Sequence, residues 1–580
     1  MKKLFKTIMV CILSASMMLS GAVGCGSGDE DDDIVIDEAK VQIYVNNYNG
    51  GAGKAWLDKI IIDFEAAYSD YKVENNGNTY VGVQIVPNNN KQEMFDDVTA
   101  EYDEVFFLDK TTNFYDMVTT GKLLDITDIV TTPNAKDNNK TIESKLDRTQ
   151  VDYLKVNGKY YSIPHYEILG GLTYNRNLFN NKGFFFAKGG APSEYCNYIQ
   201  QNNSNHAPMS DKFTDLDECV FTDLSNELSA GPDGKYGTFD DGLPATYDEF
   251  FALCDWMVLN GTNPVTWSGQ FGKGYMNYLL NDLYADFDGK EMVNLSYNFN
   301  GRADRIVSNV GDNGALTFEY NVNINDSTGY KMYQTEGIYH ALEFVDRLTS
   351  NSNYYSSKLT QGQAHSHTTA QTEFVLSEFN PAKWNNGKNI AMLVEGSYWE
   401  NEAKDYGIFN DLSESNKTAK DVSYALLPIP KVNESYIGKK AVITEGMSGM
   451  YFARSNVASY KVEIIKEFLK FCSTDEKLQE FTAITGVTKG FNYDLSAVNG
   501  DITDFAKSVI EIRKNADVCY KGSGNPVYIS HLSYFAQKFS MGVGANYCLD
   551  AFMNGMSAKD VFAGIKNYRS AANWKTSLGL

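Results

Sequence analysis

The chain has 580 residues and carries 51 Lys plus Arg against 74 Asp plus Glu, a formal charge of −23. So acidic a chain lacks the basic face that phosphate backbones require, which excludes nucleic acid as a partner. Its hydrophobic share of 43% and charged share of 22% fit a soluble globular protein of roughly two to four domains, not a disordered one. Aromatic residues are plentiful, with 38 Tyr and 33 Phe. Most must fill cores, and a surplus of Tyr also suits a site that stacks on ring-shaped ligands.

Lys2, Lys3 and Lys6 open the chain, an apolar run follows from Ile8 to about Leu19, and Ser20-Gly21-Ala22-Val23-Gly24 precedes Cys25. A basic start, a short apolar run and small residues make residues 1–24 a signal peptide. The run is shorter than the ~20 residues a membrane-crossing helix needs. The small residues before Cys25 resemble a bacterial lipobox, with Ala22 where that pattern usually has Leu. The resemblance implies a lipid on Cys25 and export to the outer face of the cytoplasmic membrane. Residues 25–40 then read as a lipidated tether, whose acidic run GSGDEDDD cannot form a core. Six further cysteines remain, at 196, 219, 254, 472, 519 and 548. No CxxC and no spaced His accompanies them, so structural zinc is not expected, and their pairing stays open. Cys254 and Cys472 lie in amphipathic helical stretches and read as buried thiols.

From residue 41 the pattern is α/β. Val41 to Val45 alternates like a strand, a Gly/Asn turn follows, and a helix runs from about Lys54 to Tyr68 with Leu57, Ile60, Ile61 and Phe64 on one face. Strands are predicted at 81–86 and 104–108, and a helix at about 113–119. The stretch 183–245 is rich in Gly, Asn, Asp and Ser and reads as a loop-like insertion. Further strands fall at 391–394, 424–427 and 449–452, and a helix at 462–471. Short links between strands and helices argue a mostly parallel sheet with helices on both faces.

Several phrases then resemble the extracellular solute-binding proteins (family 1, carbohydrate-binding) of ABC sugar importers. They are IYVNNYNG at 43–50, VFFLDKTTNFYDMVTTGKLLDIT at 105–127, YSIPHYEILGGLTYNRNLF at 161–179, LPATYDEFFALCDWMVLNG at 243–261, IAMLVEGSYWENEA at 390–403, YALLPIP at 424–430 and SGMYFARSNVASYKVEIIKEFLKFCSTDEKLQEF at 448–481. The resemblance covers about 41–580. It implies two α/β lobes joined by crossover strands, with a ligand cleft between them that closes by a hinge. The implied N-lobe is 41–165 and 425–475, and the implied C-lobe is 166–424 and 476–580. The chain is expected to cross near 163–168, return at YALLPIP and cross again after about Thr474. The implied function is capture of an extracellular oligosaccharide by a monomer and delivery to permease subunits, without catalysis.

Sugars present apolar faces and a rim of hydroxyls, which aromatic rings and Asp, Glu, Asn or Gln match. Trp399, at the turn GSYW, and Trp267, in a Gly-rich loop, resemble the family's stacking positions and are expected in the cleft, against the alternative of a packed core Trp and a packed loop anchor. Asp109 ends a buried strand, where open sheets place ligand contacts, or else caps the next helix. Tyr48 and Asn49 lie in the first strand-to-helix loop. Glu395 and Glu445 are weaker candidates, each also a plausible ion-pair partner. His365 and His367 read as a solvated pair. Asp233, Asp240 and Asp241 in GPDGKYGTFDDGLP suggest a structural Ca²⁺ loop, against a plain solvated loop with turns; no other cofactor is expected. No Walker A, GxSxG or HExxH motif is present. Two alternatives stay open: a binder of a non-sugar solute such as a peptide, and a surface glycan-acting enzyme.

Overall fold

The computed structural model describes residues 34–189, 221–446, 449–536, 538–542 and 547–580. Cys25, Cys196 and Cys219, and so the lipid expectation, lie outside the described residues. The strand Val41–Tyr48 is second from one edge of the five-stranded N-lobe sheet, pairing in parallel with Val83–Asn90 and with Val105–Leu108. Its Val41, Ile43 and Val45 face the core, as strict alternation requires. The helix Ala55–Ala67 covers that face with Trp56, Leu57, Ile60 and Phe64. Ile61 is only partly buried, and Trp56 takes the place beside Phe107 and Phe481.

The C-lobe has a second sheet, ordered Thr262–Thr266, Asn389–Gly396, Gly170–Asn175 and Tyr424–Leu426. Neither sheet is mostly parallel. Met450–Ala453 runs antiparallel to Val105–Leu108, and Gly170–Asn175 runs antiparallel to both of its neighbours. The physical reason is the connectivity: a strand entering from the other lobe needs no helical crossover, so reversed direction is open to it. Tyr424–Leu426 therefore belongs to the C-lobe, and the return expected at YALLPIP falls later, between Gly446 and Met450. The last crossing also comes later than Thr474. The helix Asp475–Thr485 still packs on the N-lobe, through Phe481 on Trp56. The chain crosses at 487–490, where Glu167 N donates to Thr488 O at 2.8 Å and Gly490 N to His165 O at 3.3 Å.

In its described parts, 183–189 and 221–245, the insertion is less loop-like than its composition suggests. Phe184 and Phe185 are buried against Phe179 and Tyr174, Phe186 against Phe221, and Phe185–Phe186 pairs with Phe221–Thr222. Three consecutive rings anchor what the flanking Gly and Asn disguise. Cys254, Cys472, Cys519 and Cys548 are buried free thiols, as expected for the first two. Among the described residues, no helix is long and apolar enough to cross a membrane.

Candidate ligand cleft between the lobes

The helix Gly272–Asp288 presents Tyr275 and Tyr278 to the lobe interface, their rings stacked at 6.4 Å. An i, i+3 spacing puts both on one helix face. The helix comes so close to the C-lobe sheet that a Cβ at Gly170 would sit 2.0 Å from the Cβ of Tyr278. Four carboxylates bear electrostatically on the Tyr278 hydroxyl: Asp109 and Glu93 from the N-lobe, Glu445 and Glu395 from the C-lobe. The hinge residue Tyr166 donates its hydroxyl to Asp109. Burial raises the Asp109 carboxyl above the usual carboxylate range, and Tyr166 only partly opposes it. Tyr48 is raised by burial and then by Asp109 and Glu93. Glu395 is raised by burial and by Glu402, and accepts from Gln371 Nε2 at 3.2 Å. Glu445 is raised by burial and by Glu167, and accepts from Ile168 N at 2.7 Å. The structure thus gathers Asp109, Tyr48, Glu395 and Glu445 around Tyr278. Asn49 lies beside them, its carbonyl accepting from Lys91 Nζ. Across the interface Asn401 Nδ2 donates to Gly51 O at 2.9 Å.

Both tryptophans are elsewhere. Trp399 is 0% exposed, packed by Phe374, Tyr424 and Phe505 at 5.1–5.6 Å, with no ring face left for a ligand. The preceding residue, Tyr398, takes the interface position beside Tyr275 and Tyr278. The helix that starts at Trp399 turns that ring into the core and leaves the last loop residue outside. Trp267 is likewise buried, with Tyr355 at 5.4 Å, and the exposed ring of its loop is Phe271, near Tyr275 and His367. His365 is not solvated. It is fully buried, with Nε2 at 3.0 Å from Glu373 and Nδ1 accepting from Gly269 N. His367 is half-buried near Glu402 and Tyr406.

Along the same interface lies a cavity of about 230 Å³. Tyr153, Thr111 and Thr112 form its N-lobe wall; Tyr278, Tyr297, Tyr528, Asn281, Lys521 and Lys538 form the C-lobe wall. A polar groove of about 890 Å³ adjoins it, running between Arg148 and Asp152 on one lobe and Asn298, Asn325 and Asn525 on the other. The tyrosines were missed in the sequence because each stands alone in an amphipathic helix or a turn, indistinguishable there from core. The pair Tyr275/Tyr278, at i, i+3 after a Gly-rich loop, is the one pattern that could have pointed to them.

The carboxylates of the Asp/Gly loop are held by its own turns, Asp240 and Asp241 sharing the Thr238 hydroxyl at 2.6 and 3.2 Å. Asp240 accepts from Asp233 N at 2.9 Å and Thr238 Oγ1 at 2.6 Å, Asp233 from Lys235 N at 2.7 Å, and Asp241 from Gly237 N at 2.7 Å. Among the described residues no group of three metal-ligating side chains forms. A structural Ca²⁺ on this loop stays our proposal: a chelator should then lower the melting temperature, and added Ca²⁺ should restore it. A melting temperature indifferent to chelator and to Ca²⁺ would leave these acids as turn formers only.

Burial also pushes Glu249 and Asp282 up to about 7 and Asp288 up to about 6. In the unfolded chain such carboxyls ionise near ~4. Between about pH 4 and 7 the native state therefore holds more protons, and these groups stabilise less as pH rises through that window. The protein should melt higher at pH 5 than at pH 7.5, and Asp282→Asn should flatten the difference. An equal or lower melting temperature at pH 5 would contradict the burial argument.

No protein-family model and no curated protein matches the chain. Solved structures match over nearly all of it. A chitin oligosaccharide binding protein is 15% identical, with a TM-score of 0.51, covering 92% of this chain and 99% of that one. RafE from Streptococcus pneumoniae, in its apo form, is 10% identical, with a TM-score of 0.51, covering 94% and 100%. The bacterial solute receptor AcbH, with its exclusive preference for β-D-galactopyranose, is 13% identical, with a TM-score of 0.50, covering 92% and 100%. The fold is that of solute-binding proteins. At these identities the likeness is one of fold, and the ligand must be argued from the cleft itself.

Proposed function

We propose that this chain captures an extracellular, neutral oligosaccharide between its lobes and delivers it, unaltered, to the permease subunits of an ABC importer. The observation that carries the reading is the tyrosine-walled interlobe cavity, set among carboxyls that burial keeps from ionising readily. Rings match the apolar faces of a sugar, and carboxyl, amide and phenol groups match its hydroxyls. The cavity lysines do not call for an anion: Lys521 faces Glu445 and Asp282, and Lys538 faces Asp288. A volume of about 230 Å³ is below the ~300–1,000 Å³ of drug-sized sites, so the cavity suits about one ring. The amide-lined groove beside it gives further sugar units a place. The solved structures of the same fold include proteins named for binding a chitin oligosaccharide and galactose, which agrees with this reading. We further propose that the protein acts as a monomer, exported and held to the membrane by a lipid on Cys25.

Fluorescence titration with mono-, di- and oligosaccharides tests the reading. Saturable binding of a neutral oligosaccharide, recovered intact by chromatography, is expected. Cleavage of the bound glycan would instead favour the glycan-acting enzyme, and tight binding of peptides alone would favour the other solute class. Mass spectrometry of the mature N-terminus decides the anchor; an unmodified Cys25 would remove it.

A further inference from the structure

The largely apolar cavity in the C-lobe shares no residue with the interlobe cavity and has a volume of about 340 Å³. Its floor is Leu426, Ile429, Ile443 and Ile512, with Phe239 at the side. The Asp/Gly loop forms its roof, tied down where Gly438 N donates to Pro232 O at 3.0 Å. Around it stand four exposed lysines, Lys235, Lys439, Lys440 and Lys514. In a chain of net charge −23 such a cluster calls for a reason. Lys440 pairs with Asp517 at 2.5 Å and Lys514 with Glu511 at 2.9 Å. Among the described residues neither Lys235 nor Lys439 forms a close ion pair; Lys439 lies over the Tyr436 ring at 3.4 Å, and its charge also acts on buried Asp286.

The acids that also line the cavity are turned to other work. Asp240 and Asp233 hold the roof loop, and Asp282 accepts from Thr444 N and Oγ1, both at 2.8 Å. What remains toward the opening is an apolar interior with cations at its rim. Apolar surface gains by taking hydrocarbon out of water, and ammonium groups at the edge favour an anionic head that stays half-solvated. Sugars, with hydroxyls on all sides, would leave those hydroxyls unpaired against the floor.

We propose that this cavity is a second binding site, separate from the interlobe cavity, for an organic carboxylate with an apolar body, its chain inside and its carboxylate among the rim lysines. It does not rest on the sugar reading.

Isothermal titration of the whole mature protein with sodium decanoate tests this, with decyltrimethylammonium as the charge-inverted probe. Saturable 1:1 binding of decanoate is expected, with none of the cation at the same concentrations. The double variant Lys235→Glu/Lys439→Glu should weaken decanoate at least tenfold. Lys72→Glu, an equal kind of change on an exposed N-lobe strand, should leave it unchanged. Ala441→Trp, placed to fill the cavity, should abolish binding while circular dichroism stays native; if that variant does not fold, the lysine variants decide alone. Absence of saturation, equal binding of the cationic probe, or equal losses at Lys72 and at the rim would overturn the proposal.

Discussion

Trp399→Ala is expected to lower stability by about 3–5 kcal/mol, the range for removing a fully buried large ring. The ring is packed by Phe374, Tyr424 and Phe505, and nothing could refill that space without moving the C-lobe sheet. Variant protein that still folds should bind its ligand nearly as wild type does. The neighbouring change, Tyr398→Ala, is expected to do the reverse. Its ring stands at the interface with Tyr275 and Tyr278, so binding should weaken by roughly 0.5–1.5 kcal/mol beyond the area lost, with a smaller effect on melting. Chemical denaturation and calorimetry on the two variants separate the roles. A Trp399→Ala protein that melts like wild type and binds poorly would return the stacking role to that tryptophan.

The sequence made the architecture legible because strands and helices have their own periods. Val41–Tyr48 alternates, and Ala55–Ala67 repeats its apolar face, whatever surrounds them. Crossover positions were less legible. YALLPIP reads as a strand, but nothing local states which sheet it joins; its partner, Gly170–Asn175, is some 250 residues away in sequence. The site was legible at strand ends, where topology fixes direction. Asp109 follows Val105–Leu108 and Tyr48 ends Val41–Tyr48, and both reach the interface. It was illegible at helix starts. Whether Tyr398 or Trp399 faces the cleft depends on one helical step of about 100°, which composition does not encode. Large aromatic residues drew attention by size, yet size is also what a core selects.

The hinge holds the last large expectation. Glu167, on the crossover segment between Ile163–Pro164 and Gly170–Asn175, is buried and takes four hydrogen bonds. Arg513 gives Nε at 2.6 Å and Nη2 at 3.0 Å, Tyr520 OH lies at 2.5 Å and Thr488 Oγ1 at 2.8 Å. Two lobe-crossing segments, at 167 and 488, are thereby fastened to one helix of the C-lobe, Asp504–Asn515. Arg513 is held charged by this carboxylate against the cost of its own burial. Arg513→Met would leave Glu167 with its hydroxyl partners and no cation. Breaking a buried pair from one side costs about 3–5 kcal/mol, because the remaining charge is stranded. Glu167→Gln in the Arg513→Met background removes that charge and should restore part of the loss. The same partial rescue should appear in ligand affinity, since the segments that must turn together during closure would again share an anchor. If the double variant is no more stable than Arg513→Met alone, charge is not what the pair contributes, and the guanidinium serves this hinge only as a spacer between Glu167 and the Phe491 carbonyl it also bonds at 3.0 Å.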